Sequence, residues 1–420
     1  MIKAGTKPFW RASAALSIAS FLVFANIYFP QPLLPLFTKE FHISPLMSSL
    51  SVSLTIFALA ISLLFYGPLS DAIGRKNIMF VTMLCVTIIT LLTAFMPSFK
   101  TLLWLRILQG FFLAGLPAIA VAYIGEEFDQ KALAVAIGIY ISGNTVGGLS
   151  GRLISGFITD WAGWQWAFIV MSIISLICLL AFGWLLPRSQ HFQPKPLAWK
   201  NALHDLGHHL KNRMLRYAYL IGGLHFLIFM GEYTYITYLL SGAPYYLPAS
   251  VLGMLFLTYL AGTVSSTLSG KAARIIPQSL CIGIGITCMA LGIALTLLHS
   301  LWMIACGLLL NSFGFFFAHS ASSSWVSRHA TFAKASAASL YLLAYYFGGS
   351  LGGFYLGFFY RWLGWSGVVL GAILVLLLTG WYMWQMYRIE HRKQLRKHIV
   401  RRLFYFCFSK YARHNGKMLS

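Results

Sequence analysis

Apolar runs of about 20 residues, separated by short polar or glycine-containing breaks, recur from one end of the chain to the other. They fall near residues 12–37, 46–66, 77–96, 101–124, 132–159, 165–187, 214–240, 249–269, 277–297, 301–325, 333–359 and 366–387. An α-helix rises about 1.5 Å per residue, so each run can cross a hydrocarbon layer about 30 Å thick. The pattern predicts an all-α integral membrane protein with twelve transmembrane helices. The first run follows Lys3, Lys7 and Arg11 but is too long for the core of a secretion signal, and no small-residue cleavage site follows it. It is expected to be a retained first helix.

Composition excludes the soluble alternative. The 420 residues are 59% hydrophobic and only 10% charged, whereas a soluble domain carries about 25% charged residues. The charge is lopsided, with 31 Lys and Arg against 9 Asp and Glu, a net of +22. In a soluble chain that excess would suggest nucleic-acid binding. Here its distribution gives another cause. With the N-terminus inside, 26 of the 31 cations fall on cytoplasmic connections or termini. Only Lys39, Lys100 and Arg361 fall outside, and Arg106 and Arg152 lie within helices. This positive-inside bias predicts that both termini are cytoplasmic, and no nucleic-acid partner is expected. The six cysteines form no C-x-x-C pair or His/Cys metal spacing, so neither a metal site nor a cofactor is expected.

The longest connection, 188–213, divides the chain into a six-helix bundle at 1–187 and another at 214–387. Within it Trp199, Leu203, Leu206 and Leu210 recur at helical spacing, which predicts a short amphipathic helix on the inner membrane surface. A basic tail, 388–420, places Leu395, Ile399 and Leu403 four residues apart among Lys and Arg, as expected of a helix lying against anionic lipid. The halves are pseudo-symmetric. Tyr140, Gly147, Gly148, Gly151, Gly156, Phe157, Trp161, Gly163 and Trp164 reappear 201 residues later as Tyr341, Gly348, Gly349, Gly352, Gly357, Phe358, Trp362, Gly364 and Trp365.

Between the second and third runs stands Gly67-Pro68-Leu69-Ser70-Asp71-Ala72-Ile73-Gly74-Arg75-Lys76. Gly67 is expected to allow close helix approach, Gly74 to make the turn, and Asp71 with Arg75 to act as a conformational latch. This loop resembles the signature G-x-L-x-D-x-x-G-R-[KR] of the major facilitator superfamily. Its counterpart, Leu268-Ser269-Gly270-Lys271-Ala272-Ala273-Arg274, lacks the acid, so the latch is expected in one half only. Arg106-Ile107-Leu108-Gln109-Gly110 resembles that family's R-x-x-Q-G motif, which implies that Arg106 faces a central cavity and influences proton release or substrate charge. Gly143-Asn144-Thr145-Val146-Gly147-Gly148 is similar to the G-P-x-x-G-G motif of drug/proton antiporters, with Asn144 in place of the proline. Tight packing between the halves is expected there, and at Gly348-Gly349 by repetition. With Tyr28–Pro35 and Phe316–Trp325, the chain is similar to the bacterial YnfM-type permeases, a predicted sugar-efflux and drug-efflux group. The resemblance covers residues 10–387 and excludes the tail.

It implies a multi-pass protein of the bacterial inner membrane, moving a small molecule through a midplane site by alternating access. Of the nine acids, Glu232 alone lies inside an expected span, and a carboxyl held in a low-dielectric cavity is suited to carrying a proton. Glu232 is thus the leading proton-coupling candidate, with His319 and Arg106 beside it. Gln31, Gln109, Asn144, Arg152, Tyr233 and Tyr345 are candidate cavity or substrate residues, and Arg152 is expected to line a cavity or to pair with Asp160. Proton-coupled efflux by a monomer is the function expected, against a sugar or metabolite importer or facilitator of the same fold. A polytopic membrane enzyme would need clustered acids, a P-loop or H-E-x-x-H, none of which occurs.

Overall fold

The computed structural model describes residues 1–187, 189–192, 194, 207–332 and 334–415, with side chains through 390 except at 334 and 335. In chain order the helices are α1 (Lys7–Tyr28), α2 (Leu34–Glu40), α3 (Pro45–Ile73), α4 (Arg75–Thr93), α5 (Phe99–Leu113), α6 (Ala120–Glu127) and α7 (Gln130–Ala162). They continue as α8 (Trp164–Leu185), α9 (Arg213–Ser241), α10 (Ala249–Met254), α11 (Leu260–Ala272), α12 (Gln278–Leu295), α13 (Leu301–His329) and α14 (Lys334–Asn415). Serine and asparagine start several of them. Ser44 and Ser98 accept bonds from Met47 and Thr101 main-chain N–H groups, and Asn212 accepts from Met214 and Leu215. Of the helix expected over Trp199, Leu203, Leu206 and Leu210, residues 199–206 lie outside the described residues, and residues 207–211 are helical.

Ten stretches among the described residues are long and apolar enough to cross a membrane. Two local breaks explain the difference from the expected count. The run at 101–124 divides into α5 and α6 around Pro117, whose ring removes an N–H and clashes with a continuing helix. The last two runs form one element, α14, interrupted only at Gly364, where φ is 58°. Gly163, 201 residues earlier, also has positive φ, 93°, and joins α7 directly to α8. Only a glycine adopts such angles without strain, so the repeat holds a shared tight reversal as well as shared letters. Pro30 and Pro32 end α1 and pass the chain through a 3-10 turn at Gln31–Leu33, which sets Gln31 in the protein interior.

Small residues set the helix crossings. A methyl group at Gly151 of α7 would stand 2.8 Å from the Ala25 carbonyl of α1, and Gly143 and Gly147 lie equally close to Ser17 and Phe21. The repeat places Gly348 and Gly352 of α14 against Gly223 and Leu227 of α9 in the same way. These glycines therefore bring together helices of the same half, correcting the expectation that they pack between halves. Crossing between halves is carried by Gly156 against Ala249 and Gly353 against Ser49 and Ser53. Gly67 faces open space, so the close approach expected there is absent, and Gly74, at φ 116°, does form the turn between α3 and α4.

The hydrogen bonds that join residues before 187 to residues after 213, among those described, gather toward the end of the molecule that carries Asp160. Asp160 accepts from the Ala249 and Ser250 N–H groups at 3.0 and 2.8 Å. Tyr238 of α9 meets Thr38 at 3.1 Å and donates to the Leu34 carbonyl at 3.1 Å, and Gln31 donates to Thr234 at 3.4 Å. At the opposite end, which carries Arg75, Gly67, Gly138 and Gly270 border open space.

Candidate functional site

Two buried arginines occupy the first half. Arg106 has no exposed surface and donates to the Ser51, Asn26 and Ile27 carbonyls at 3.0, 3.0 and 2.9 Å, and to Gln109. Gln109 in turn donates to Thr90 at 2.7 Å and Asn26 at 3.2 Å. The expected pair is thus brought together, but inside the helix packing: Arg106 ties α5 to the end of α1 and to α3. Asn26 and Thr90, which complete the network, escaped the sequence reading because an uncharged polar residue barely alters an apolar run.

Arg152 stands where α7 meets the second half. Its guanidinium forks onto the Gln31 side-chain oxygen Oε1 at 3.0 and 2.8 Å and donates to the Gly148 main-chain carbonyl at 2.9 Å. The rings of Tyr28, Phe256 and Tyr259 stand 4.3, 4.1 and 5.0 Å from it. Desolvated cation–aromatic contacts of this kind contribute about 2 kcal/mol or more. The expected partner Asp160 is elsewhere, capping α10, so the alternative of an Arg152–Asp160 pair is corrected. This cation has neutral partners only among the described residues.

Glu232 is fully buried on α9. Its Oε2 accepts from Asn311 Nδ2 on α13, while Oε1 and the Asn311 Oδ1 have no partner. The next residue, Tyr233, bonds Thr258, the Ser312 hydroxyl at 2.7 Å and the Leu308 carbonyl. Tyr233, expected as a substrate contact, has no exposed surface in this form. Asn311 is presented by a tight crossing, since Gly292 of α12 lies against its main chain and against Gly307.

His319 of α13 takes part in a half-buried aromatic group. Its Nδ1 meets the Tyr341 hydroxyl at 3.0 Å, its ring lies parallel to Phe315, and Tyr345 stands 4.6 Å away. Tyr345 itself stacks on Phe226 at 3.9 Å. On the facing half, Asn144 accepts from Ser20, and Gly148 borders the Tyr28 ring. Arg75 draws together Asp71 at 2.5 Å, Glu126 at 2.5 Å and the Ser70 hydroxyl at 2.5 Å. The sequence reading found Asp71 and Arg75 but not Glu126, which arrives from α6. Among the described residues no cluster of His, Cys, Asp and Glu could hold a metal ion.

Residues 16–353 match the sequence pattern described as Major Facilitator Superfamily. An uncharacterised MFS-type transporter of Bacillus subtilis, YybF, is 40% identical over 90% of this chain and 94% of its own. The inner membrane transport protein YnfM of Escherichia coli is 41% identical over 90% of both chains. Among solved structures, a bacterial homologue of the human lysosomal transporter Spinster superimposes with a TM-score of 0.73 at 17% identity, covering 92% of this chain and 98% of that one. The nucleoside transporter NupG gives 0.74 at 16% identity, over 89% and 99%. At such identities the structural likeness is one of fold.

Proposed function

The chain belongs to the Major Facilitator Superfamily, a family of transporters rather than enzymes, and from that premise we propose that it is a proton-coupled exporter of a small organic molecule. In this reading the chain crosses the bacterial inner membrane twelve times, with both termini in the cytoplasm. The bundles at 1–187 and 214–387 rock about the substrate, the 188–213 connection links them, and the basic tail from 388 rests against anionic lipid. It works as a monomer.

The observation that carries the reading is the one-sided seam. Hydrogen bonds between the halves collect at the Asp160 end. That is the form an alternating-access protein takes when closed outside and open inside. The partly exposed Tyr345 and His319 then border the inward-open space, and Asp71, Arg75 and Glu126 lie at its mouth, where a latch would act on the opposite state. Glu232 supplies a buried group whose charge can change as the seam changes sides. One proton returning down a potential of about 100 mV provides roughly 2.3 kcal/mol for export.

The test is uptake into inverted membrane vesicles energised with a pH gradient. Wild-type protein should concentrate its substrate, and an uncoupler should abolish the gradient. Glu232→Gln should lose proton-driven accumulation at least tenfold yet still exchange substrate down its gradient. Full accumulation by that variant would remove Glu232 from the mechanism, and equilibration without accumulation by the wild type would favour a facilitator.

A further inference from the structure

We infer that Glu232 and Asn311 form a carboxylic acid–amide pair in which Glu232 carries its proton in the inward-open form, and that this proton fastens α9 to α13. The inference deepens the reading of Glu232 as the coupling carboxyl, yet it stands on a separate inventory of donors and acceptors. Asn311 Nδ2 donates to one carboxyl oxygen. The other carboxyl oxygen and the Asn311 carbonyl oxygen are both buried and without a partner. An ionised carboxylate accepts only, so it can never satisfy an amide oxygen. A neutral carboxyl brings one O–H donor, and that hydrogen is the one this pair lacks. With it, each side chain gives one bond and takes one, and a buried polar atom left unmatched costs about 1–3 kcal/mol.

The surroundings favour the neutral form. Glu232 is fully buried, and no Lys, Arg or protonated His bonds it among the described residues. The ionisable groups in electrostatic contact with it are Tyr233 on its own helix and Tyr259 on the turn before α11. Arg152 of α7 lies beyond those two rings and interacts with both. His225 of α9 and His319 of α13 interact with each other further along, where Tyr345 of α14 packs on His319. The neighbouring Tyr233–Ser312 bond makes a second link between the same two helices. Loss of the proton would remove the O–H bond to the Asn311 carbonyl oxygen and leave that oxygen unmatched against a buried carboxylate, while the Asn311 amide donation and the Tyr233 bonds remain. Departure of that proton thus weakens one fastening between α9 and α13, in the direction a coupled cycle requires of the second half.

Infrared spectroscopy of the purified protein in lipid nanodiscs tests this without measuring transport. At neutral pH the wild type should show a protonated-carboxyl C=O band that Glu232→Gln removes. Asn311→Leu should move that band to higher frequency, because the carboxyl C=O loses its amide donor. Glu232→Gln should keep the wild-type thermal midpoint, since glutamine offers the same donor and acceptor as the neutral acid. Absence of a Glu232-dependent band, an unmoved band in Asn311→Leu, or a collapse of stability in Glu232→Gln would each overturn the inference. If the band behaves as stated while transport ignores the proton gradient, the pair stands and the coupling reading falls.

Discussion

The two halves share a scaffold and invert its chemistry. The first half keeps a cation with a neutral partner, Arg152 with Gln31. The second half keeps an acid with a neutral partner, Glu232 of α9 with Asn311 of α13. A guanidinium stays charged at any working pH, whereas a carboxyl can change state. One half thus holds a fixed charge and the other a carboxyl that can change state, which in the proposed function is what reports a proton.

The sharpest way to break this contrast is to remove the fixed charge that organises the first half. Arg106→Leu leaves three main-chain carbonyls and Gln109 without their donor; at about 1–3 kcal/mol for each unmatched group, most folded protein should be lost. Fluorescence-detected size-exclusion after solubilisation would measure it, and a monodisperse variant would contradict the role given to Arg106. Next comes transplanting the acid. Gln31→Glu combined with Glu232→Gln puts the carboxylate against Arg152, where it should stay ionised. The double variant should fold and exchange substrate but show no proton-driven accumulation in inverted vesicles. Retained coupling would mean that the position of the acid is immaterial.

Arg152→Lys keeps the charge but loses the two-pronged bond to Gln31, and should cost about 1–2 kcal/mol, read as a lower thermal midpoint. The smallest effect belongs to Asp160→Asn, which weakens the cap on α10 by roughly 0.5–1 kcal/mol. A single cysteine introduced at Ser250 should then label faster with an impermeant external thiol reagent. Unchanged labelling would deny that Asp160 helps to hold the outer seam.

Much of this was legible in the chain before folding. Hydropathy located most of the spans, the scarcity of acids isolated Glu232, and the repeat paired Gly163 with Gly364, where the structure shows matched reversals. What the sequence concealed were partnerships. Asn26, Thr90 and Asn311 are uncharged, so they leave no mark on an apolar run, and their importance depends on which helix crosses them. The glycines of α7 announced a tight crossing without saying whose helix was crossed, and α1 proved to be the partner. Gly67 shows the converse: a motif glycine with no neighbour beside it.

The cap that Asp160 places on α10 belongs to two halves at once, and so it exists only while they meet. In the proposed cycle the halves part on that side, and the Ala249 and Ser250 amides would then turn to water, which can replace the lost carboxylate. Such a fastening works like a hook rather than a weld: it leaves no orphaned group behind when released. A door held this way opens at small cost and closes again without searching for its frame.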